Sequence, residues 1–169
     1  MRIELDKLEA HGGKFAHLYD VSELPLDDAE VRLVEPGEVS GRVRRDGNEV
    51  VLRGKLDAKL EVVCGRCLKP VELPISTEFT ERFVRAVSWA AEDQHELREE
   101  DLNVAVFDGE AIDLDDLVRE ELLLAVPVNV LCGEGCQGLC PVCGIDRNLS
   151  NCLCESNEID SRWEKLKHL

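Results

Sequence analysis

The eight cysteines of this chain fall into close pairs: Cys64 with Cys67, Cys132 with Cys136, Cys140 with Cys143, and Cys152 with Cys154. Two thiolates set a few residues apart can bite one metal ion from a single tight turn, and two such pairs complete a tetrahedron. Disulfides are the competing use of paired cysteines. They need an oxidising compartment, and near neighbours rarely make good structural bridges. The charged start, Met1-Arg2-Ile3-Glu4-Leu5-Asp6, lacks the apolar core of a signal peptide, and the apolar run from Leu122 to Leu131 is broken by Pro127 and Asn129. A soluble cytoplasmic protein stapled by zinc, as one or two structural ions held by these eight thiols, is therefore expected.

Cys140-Pro141-Val142-Cys143-Gly144 is the sharpest motif. Proline fixes φ as the turn begins, and glycine after the second sulfur permits a positive φ, which aims backbone N–H groups at the thiolates. Cys152 and Cys154 follow closely and could close that site, leaving Cys64 and Cys67 to join Cys132 and Cys136. The alternative is one site made by Cys132, Cys136, Cys140 and Cys143, with the other four cysteines elsewhere. Spacing leaves both open. The Cys64 pair is less orthodox, because Leu68 stands where such a turn usually has glycine; two cysteines lining a turn without metal is the competing reading there.

Around that pair the pattern is β. Lys55 to Val62 alternates polar and apolar residues, and Val71, Leu73, Ile75, Thr77 and Phe79 resume the alternation beyond Cys67. Two such segments make a hairpin whose connection carries two thiols, with Pro74 best placed on an edge. Glu38 to Arg45 and Glu49 to Arg53 read as shorter strands joined by an Asp46-Gly47-Asn48 turn, with a bulge at Gly54. One helix follows, capped by Asp113, with Leu114, Leu117, Val118, Leu122 and Ala125 on one stripe and Pro127 ending it. A short terminal helix after Asp160 would turn Trp163 and Leu166 inward. The expected fold is α+β: a mainly antiparallel sheet or partial barrel in the N-terminal half, one central helix, a cysteine-rich zinc-binding segment and the short terminal helix. The regions are 1–85, β-rich; 86–103, an acidic mobile loop; and 104–169, the helix and metal-binding segment packed on the sheet as one domain.

Charge is unevenly placed on a chain whose formal net charge is −16. Ala86 to Glu121 holds thirteen acids against Arg98 and Arg119, a net of −11, whereas Gly41 to Lys69 holds eight cations against four acids, a net of +4. The acidic whole repels polyphosphate at long range and favours protein partners. The cations Arg42, Arg44, Arg45, Arg53, Lys55, Lys59, Arg66 and Lys69 are the candidate nucleic-acid contacts. The competing view is that they solvate outer strand faces, where Asp57 and Glu61 alternate with Lys55 and Lys59. The four histidines, His11, His17, His95 and His168, show no ligand spacing. No nucleophile elbow, phosphate loop or helical His-Glu-x-x-His is present, and closed four-thiolate sites offer no open coordination position. A non-catalytic protein without a small-molecule substrate is expected.

At these same residues the chain resembles the YceD-like family of bacterial and plastid proteins. The matching pieces are Val63-Cys64-Gly65-Arg66-Cys67-Leu68 with Pro70, then Asp115 to Pro127, then Cys136 to Gly144 with Asn148, Cys152 and Cys154, and last Asp160-Ser161-Arg162-Trp163 with Leu166. The second position of that last piece is often proline in relatives. The resemblance implies ribosome biogenesis, through accumulation of large-subunit 23S rRNA. The partner would be the large-subunit precursor, met directly at its rRNA or through a basic ribosomal protein, with no membrane involved. The alternative is a zinc- or thiol-based redox-sensing protein using Cys64 and Cys67, although their motif does not open a helix whose dipole would activate a thiol.

Overall fold

A computed structural model describes residues 1–5, 12–26, 28–47, 49–87, 104–108 and 110–154. They belong to two compact units. One is Met1–Val62 with Glu72–Val128; the other is Val63–Val71 with the chain from Asn129 on.

The first unit is built on a five-stranded sheet of β2 (Gly13–Tyr19), β3 (Val31–Asp46), β4 (Glu49–Val63), β5 (Pro70–Arg85) and β6 (Val104–Phe107), in that spatial order. A two-stranded sheet pairs β1 (Arg2–Glu4) with β7 (Ala111–Asp113). Alternation dictates the strands as expected: Leu52, Leu56, Leu60 and Val62 of β4 are buried, and so are Ile75 and Phe79 of β5. The β3–β4 ladder closes at Asp46↔Glu49, with Gly47 at φ 61°, the turn conformation that glycine tolerates best.

Two expectations change. The sheet is open and mixed, with no barrel: β2 and β6 are its two edges, and β6 joins β5 in parallel over Arg82–Arg85. A parallel neighbour needs a long crossover, and residues 86–103 supply the length. Nor is Gly54 a bulge. It stands in register opposite Gly41 within one continuous β4, and the irregularities fall between Leu33 and Glu38, where Pro36 has no N–H to give the ladder. The two glycines make room for rings. A Cβ at Gly54 would lie 2.5 Å from Phe79 Cζ, and one at Gly41 2.7 Å from Phe15 Cζ. The paired glycines thus give the buried Phe15 and Phe79 their places in the core.

Pro74 lies within β5, an internal strand, and among the described residues β6 pairs with β5 over Arg82–Arg85, beyond Pro74. The helix α1 (Leu114–Ala125) is capped by Asp113, whose carboxylate accepts from the Asp115 N–H at 3.0 Å. Leu114, Leu117, Val118 and Leu122 are buried, Ala125 is half-buried, and the helix stops two residues before Pro127. Tyr19, at the end of β2, is fully buried and donates its hydroxyl to Asp115 at 2.7 Å. Burial and that carboxylate hold the phenol well above its usual range. Of the loop expected over 86–103, residues 88–103 lie outside the described residues, as does the expected terminal helix.

Candidate metal centres and a basic sheet face

The second unit gathers all eight cysteines. Cys64, Cys67, Cys132 and Cys136 form one group, Cys140, Cys143, Cys152 and Cys154 another, and the sulfurs of each lie within 4.8 Å of one another. Of the two pairings left open by spacing, the structure adopts the one that joins the β4–β5 connection to Cys132 and Cys136.

Each group starts from the same turn. Cys64 N–H donates to Lys69 O at 2.8 Å, and Leu68 N–H to Cys64 O at 2.9 Å. Cys140 N–H donates to Ile145 O, and Gly144 N–H to Cys140 O, both at 2.8 Å. The residue after the second sulfur is left-handed in both turns, Leu68 at φ 59° and Gly144 at φ 73°. Leu68 therefore accepts a conformation that costs a non-glycine residue about 1–2 kcal/mol. The turn aims N–H groups at the first sulfur. Those of Cys67 and Arg66 pull the Cys64 thiol down to about 6, and those of Cys143 and Val142 do the same for Cys140.

The remaining cysteines meet these anchors from pairs of other spacings, Cys132 with Cys136 and Cys152 with Cys154. Cys132 and Cys154 are pushed up to about 12, chiefly by Cys67 and Cys143 respectively, because crowded sulfurs resist a second negative charge. A divalent cation removes that conflict. A tetrahedron with metal–sulfur legs of about 2.3 Å has edges of about 3.8 Å. The Cys64–Cys136 and Cys67–Cys132 separations are 3.8 and 3.5 Å. Both groups could hold a metal, and their soft thiolates fit zinc.

The two centres differ in shelter. Cys64, Cys67 and Cys136 are buried together against Val71, Leu131 and Leu139. In the other group only Cys140 is buried, while Cys143 and Cys154 are exposed. Hydrogen bonds to the sulfurs of the first centre come from within the cysteine set and from outside it. Cys132 N–H donates to Cys64 Sγ at 3.4 Å, and Asn148 Nδ2 to Cys136 Sγ at 3.5 Å.

The eight cations singled out by the sequence do not form one patch. Arg66 donates to Cys136 O at 2.8 Å, and Lys69 pairs with Asp146 at 2.7 Å, both inside the second unit. On the sheet, Lys59 is held between Glu35 and Glu72, and Lys55 pairs with Asp57. Arg45 lies opposite the buried Val50 and donates to Leu5 O at 3.5 Å, on the face away from Arg44. What remains is a row. Lys14 is opposite Arg42 on β2 and β3, and Arg42 is opposite Arg53 on β4, so three exposed cations face one way across about 10 Å. With Arg44, they line an open depression of about 1160 Å³ that also includes Lys55 and the acids Asp46 and Glu78. None of the four cations has an ion pair among the described residues. Sequence reading missed Lys14, because a lone lysine on a separate strand joins the row only through register.

Two four-cysteine centres and a sheet define a cysteine-rich protein able to hold metal. The chain belongs to the family described as "Large ribosomal RNA subunit accumulation protein YceD", whose model matches residues 52–169. That description implies a part in the accumulation of large-subunit rRNA. The chain is also similar to an uncharacterized protein of Mycobacterium tuberculosis, 31% identical over 98% of this chain and 79% of the relative. A second relative, the uncharacterized protein YlbN of Bacillus subtilis, is 24% identical over 98% of this chain and 92% of its own length. No solved structure matches the chain. Among the described residues no helix is long and apolar enough to cross a membrane.

Proposed function

We propose that this protein is a non-catalytic cytoplasmic factor that promotes accumulation of 23S rRNA by binding the large-subunit precursor. In this reading the eight cysteines hold two structural zinc ions, and the phosphate backbone of the rRNA meets Lys14, Arg42, Arg44 and Arg53. The cross-strand row carries the proposal. Like charges placed directly opposite one another destabilise a sheet. A row of three without a carboxylate among them is what an anionic partner would relieve. Within a chain of net charge −16 such a face is the local exception, and a repeating polyanion matches its repeat better than a single acid does. Four-thiolate zinc sites are closed, so they would hold the second unit together and would not activate water.

The test is the ratio of 23S to 16S rRNA after removal of the gene, with rescue by wild type and by Arg42→Glu/Arg53→Glu. Wild type restores the ratio and the double variant does not, although it accumulates and folds. Its sedimentation with large-subunit precursor weakens, and its salt dependence flattens by about 0.7–0.9 in log–log slope per lost phosphate contact. A double variant that rescues fully and binds particles with unchanged salt dependence removes this face from the mechanism.

A further inference from the structure

Asn148 belongs by sequence to one centre and by contact to the other. It lies between Cys143 and Cys152, in the chain whose ends the second centre draws together. Its carboxamide serves the first: Nδ2 donates to Cys136 Sγ at 3.5 Å, and Oδ1 accepts from Gln137 N–H at 2.8 Å, beside that same ligand. Asp146 fixes it there. The Asp146 carboxylate takes the Asn148 N–H at 2.9 Å and Nδ2 at 2.7 Å, while its other oxygen pairs with Lys69, two residues beyond Cys67. Backbone bonds hold the same segment on both sides. Arg147 N–H reaches Gly138 O at 3.0 Å, and Ser150 N–H reaches Asp146 O at 3.1 Å.

We propose that the two four-cysteine centres bind metal cooperatively, with Asn148 as the positioning residue that carries the coupling. With the second centre filled, residues 144–151 form a closed loop, and the entropy of placing Asn148 has already been lost. The first centre then receives a ready N–H···S bond, which disperses thiolate charge and fixes the rotamer of Cys136. With the second centre empty, only these hydrogen bonds and the Lys69 pair hold the loop, and filling the first centre must complete the ordering of Asn148. Linkage makes the effect mutual: filling the first centre holds the loop and brings Cys152 and Cys154 toward their partners. Asn148 touches no metal in this scheme. It acts through Cys136. The inference rests on the reading that both groups hold metal.

The experiment titrates the full-length reduced chain with cadmium against a competing chelator, and follows each centre by its own cadmium resonance. Four proteins are compared: wild type, Asn148→Asp, Cys152→Ser/Cys154→Ser, and the combination. Aspartate keeps the acceptor for Gln137 N–H but sets a carboxylate against Asp146 and Cys136 where the donor stood, so the uncharged Asn148→Ala is titrated in parallel and should show the same loss. Asn148→Asp and the loss of the second centre should each weaken the first centre about tenfold, within the range of outer-sphere changes. The combination should be no weaker than either alone. Multiplying losses, or a first centre indifferent to both changes, would overturn the coupling while leaving two metals bound. A wild-type chain that takes up a single cadmium would refute the two-metal reading itself, and the coupling with it.

Discussion

Leu68 shows how much local chemistry one residue can carry. Its backbone occupies the place that Gly144 takes in the twin turn, at φ 59°, and its side chain is 60% exposed. Little burial offsets the strain. Leu68→Gly should therefore stabilise the metal-loaded protein by up to about 1 kcal/mol, the left-handed strain relieved less glycine's extra chain entropy. A chemical-denaturation midpoint that falls on this change would mean that the leucine makes a contact outweighing its strain. The cysteines themselves were legible in the sequence as candidate metal ligands, because spacing and turn residues encode the thiol anchors directly. Their partners were not. Cys132 pairs with Cys67 across 65 positions, and no local pattern specifies that choice. Asn148 was legible as part of a family motif, but its hydrogen bond to Cys136 depends on where the loop folds.

Strands were the most readable elements, since a buried face imposes a period of two on the chain itself. The limits appeared where pairing decides. The sequence of β4 carries Gly54 as an interruption, yet the ladder runs through it because Gly41 stands opposite and Phe79 fills the space. Parallel addition of β6, likewise, is a fact about its neighbour and not about its four residues. Filling the glycine gap should be costly. Gly54→Val sets a branched side chain against the Phe79 ring and Ser40 O, and should destabilise the first unit by about 1–3 kcal/mol. Thermal unfolding followed by far-UV circular dichroism checks this, and an unchanged midpoint would show that Phe79 has another place to go. The basic row belongs at this scale too: Lys14, Arg42 and Arg53 are dispersed in sequence and adjacent only in register.

At the scale of the molecule, the chain divides its sources of order. The first unit has an apolar core of Val39, Leu52, Leu56, Leu60, Leu114 and Leu122. Among the described residues, the second has little beyond its sulfurs and the few side chains around Cys64. Chelation under reducing conditions should accordingly unfold the second unit and leave the sheet intact. Amide exchange would then rise over residues 130–154 and stay slow in β3 and β4. Loss of protection throughout would show that the sheet, too, depends on metal. On the reading that both centres hold metal, the exposed Cys143 and Cys154 should make the second the earlier to yield to a chelator or oxidant.

The reach of the first centre also bears on synthesis. Cys64 and Cys136 are 72 residues apart, with β5, β6, β7 and α1 between them. At about 5–20 residues per second, the hairpin thiols emerge roughly 4–14 s before the cysteines that complete their tetrahedron. For that interval the nascent chain presents an unfinished pair of thiols. The sheet strands on either side are meanwhile free to set their register before any metal locks the connection between them.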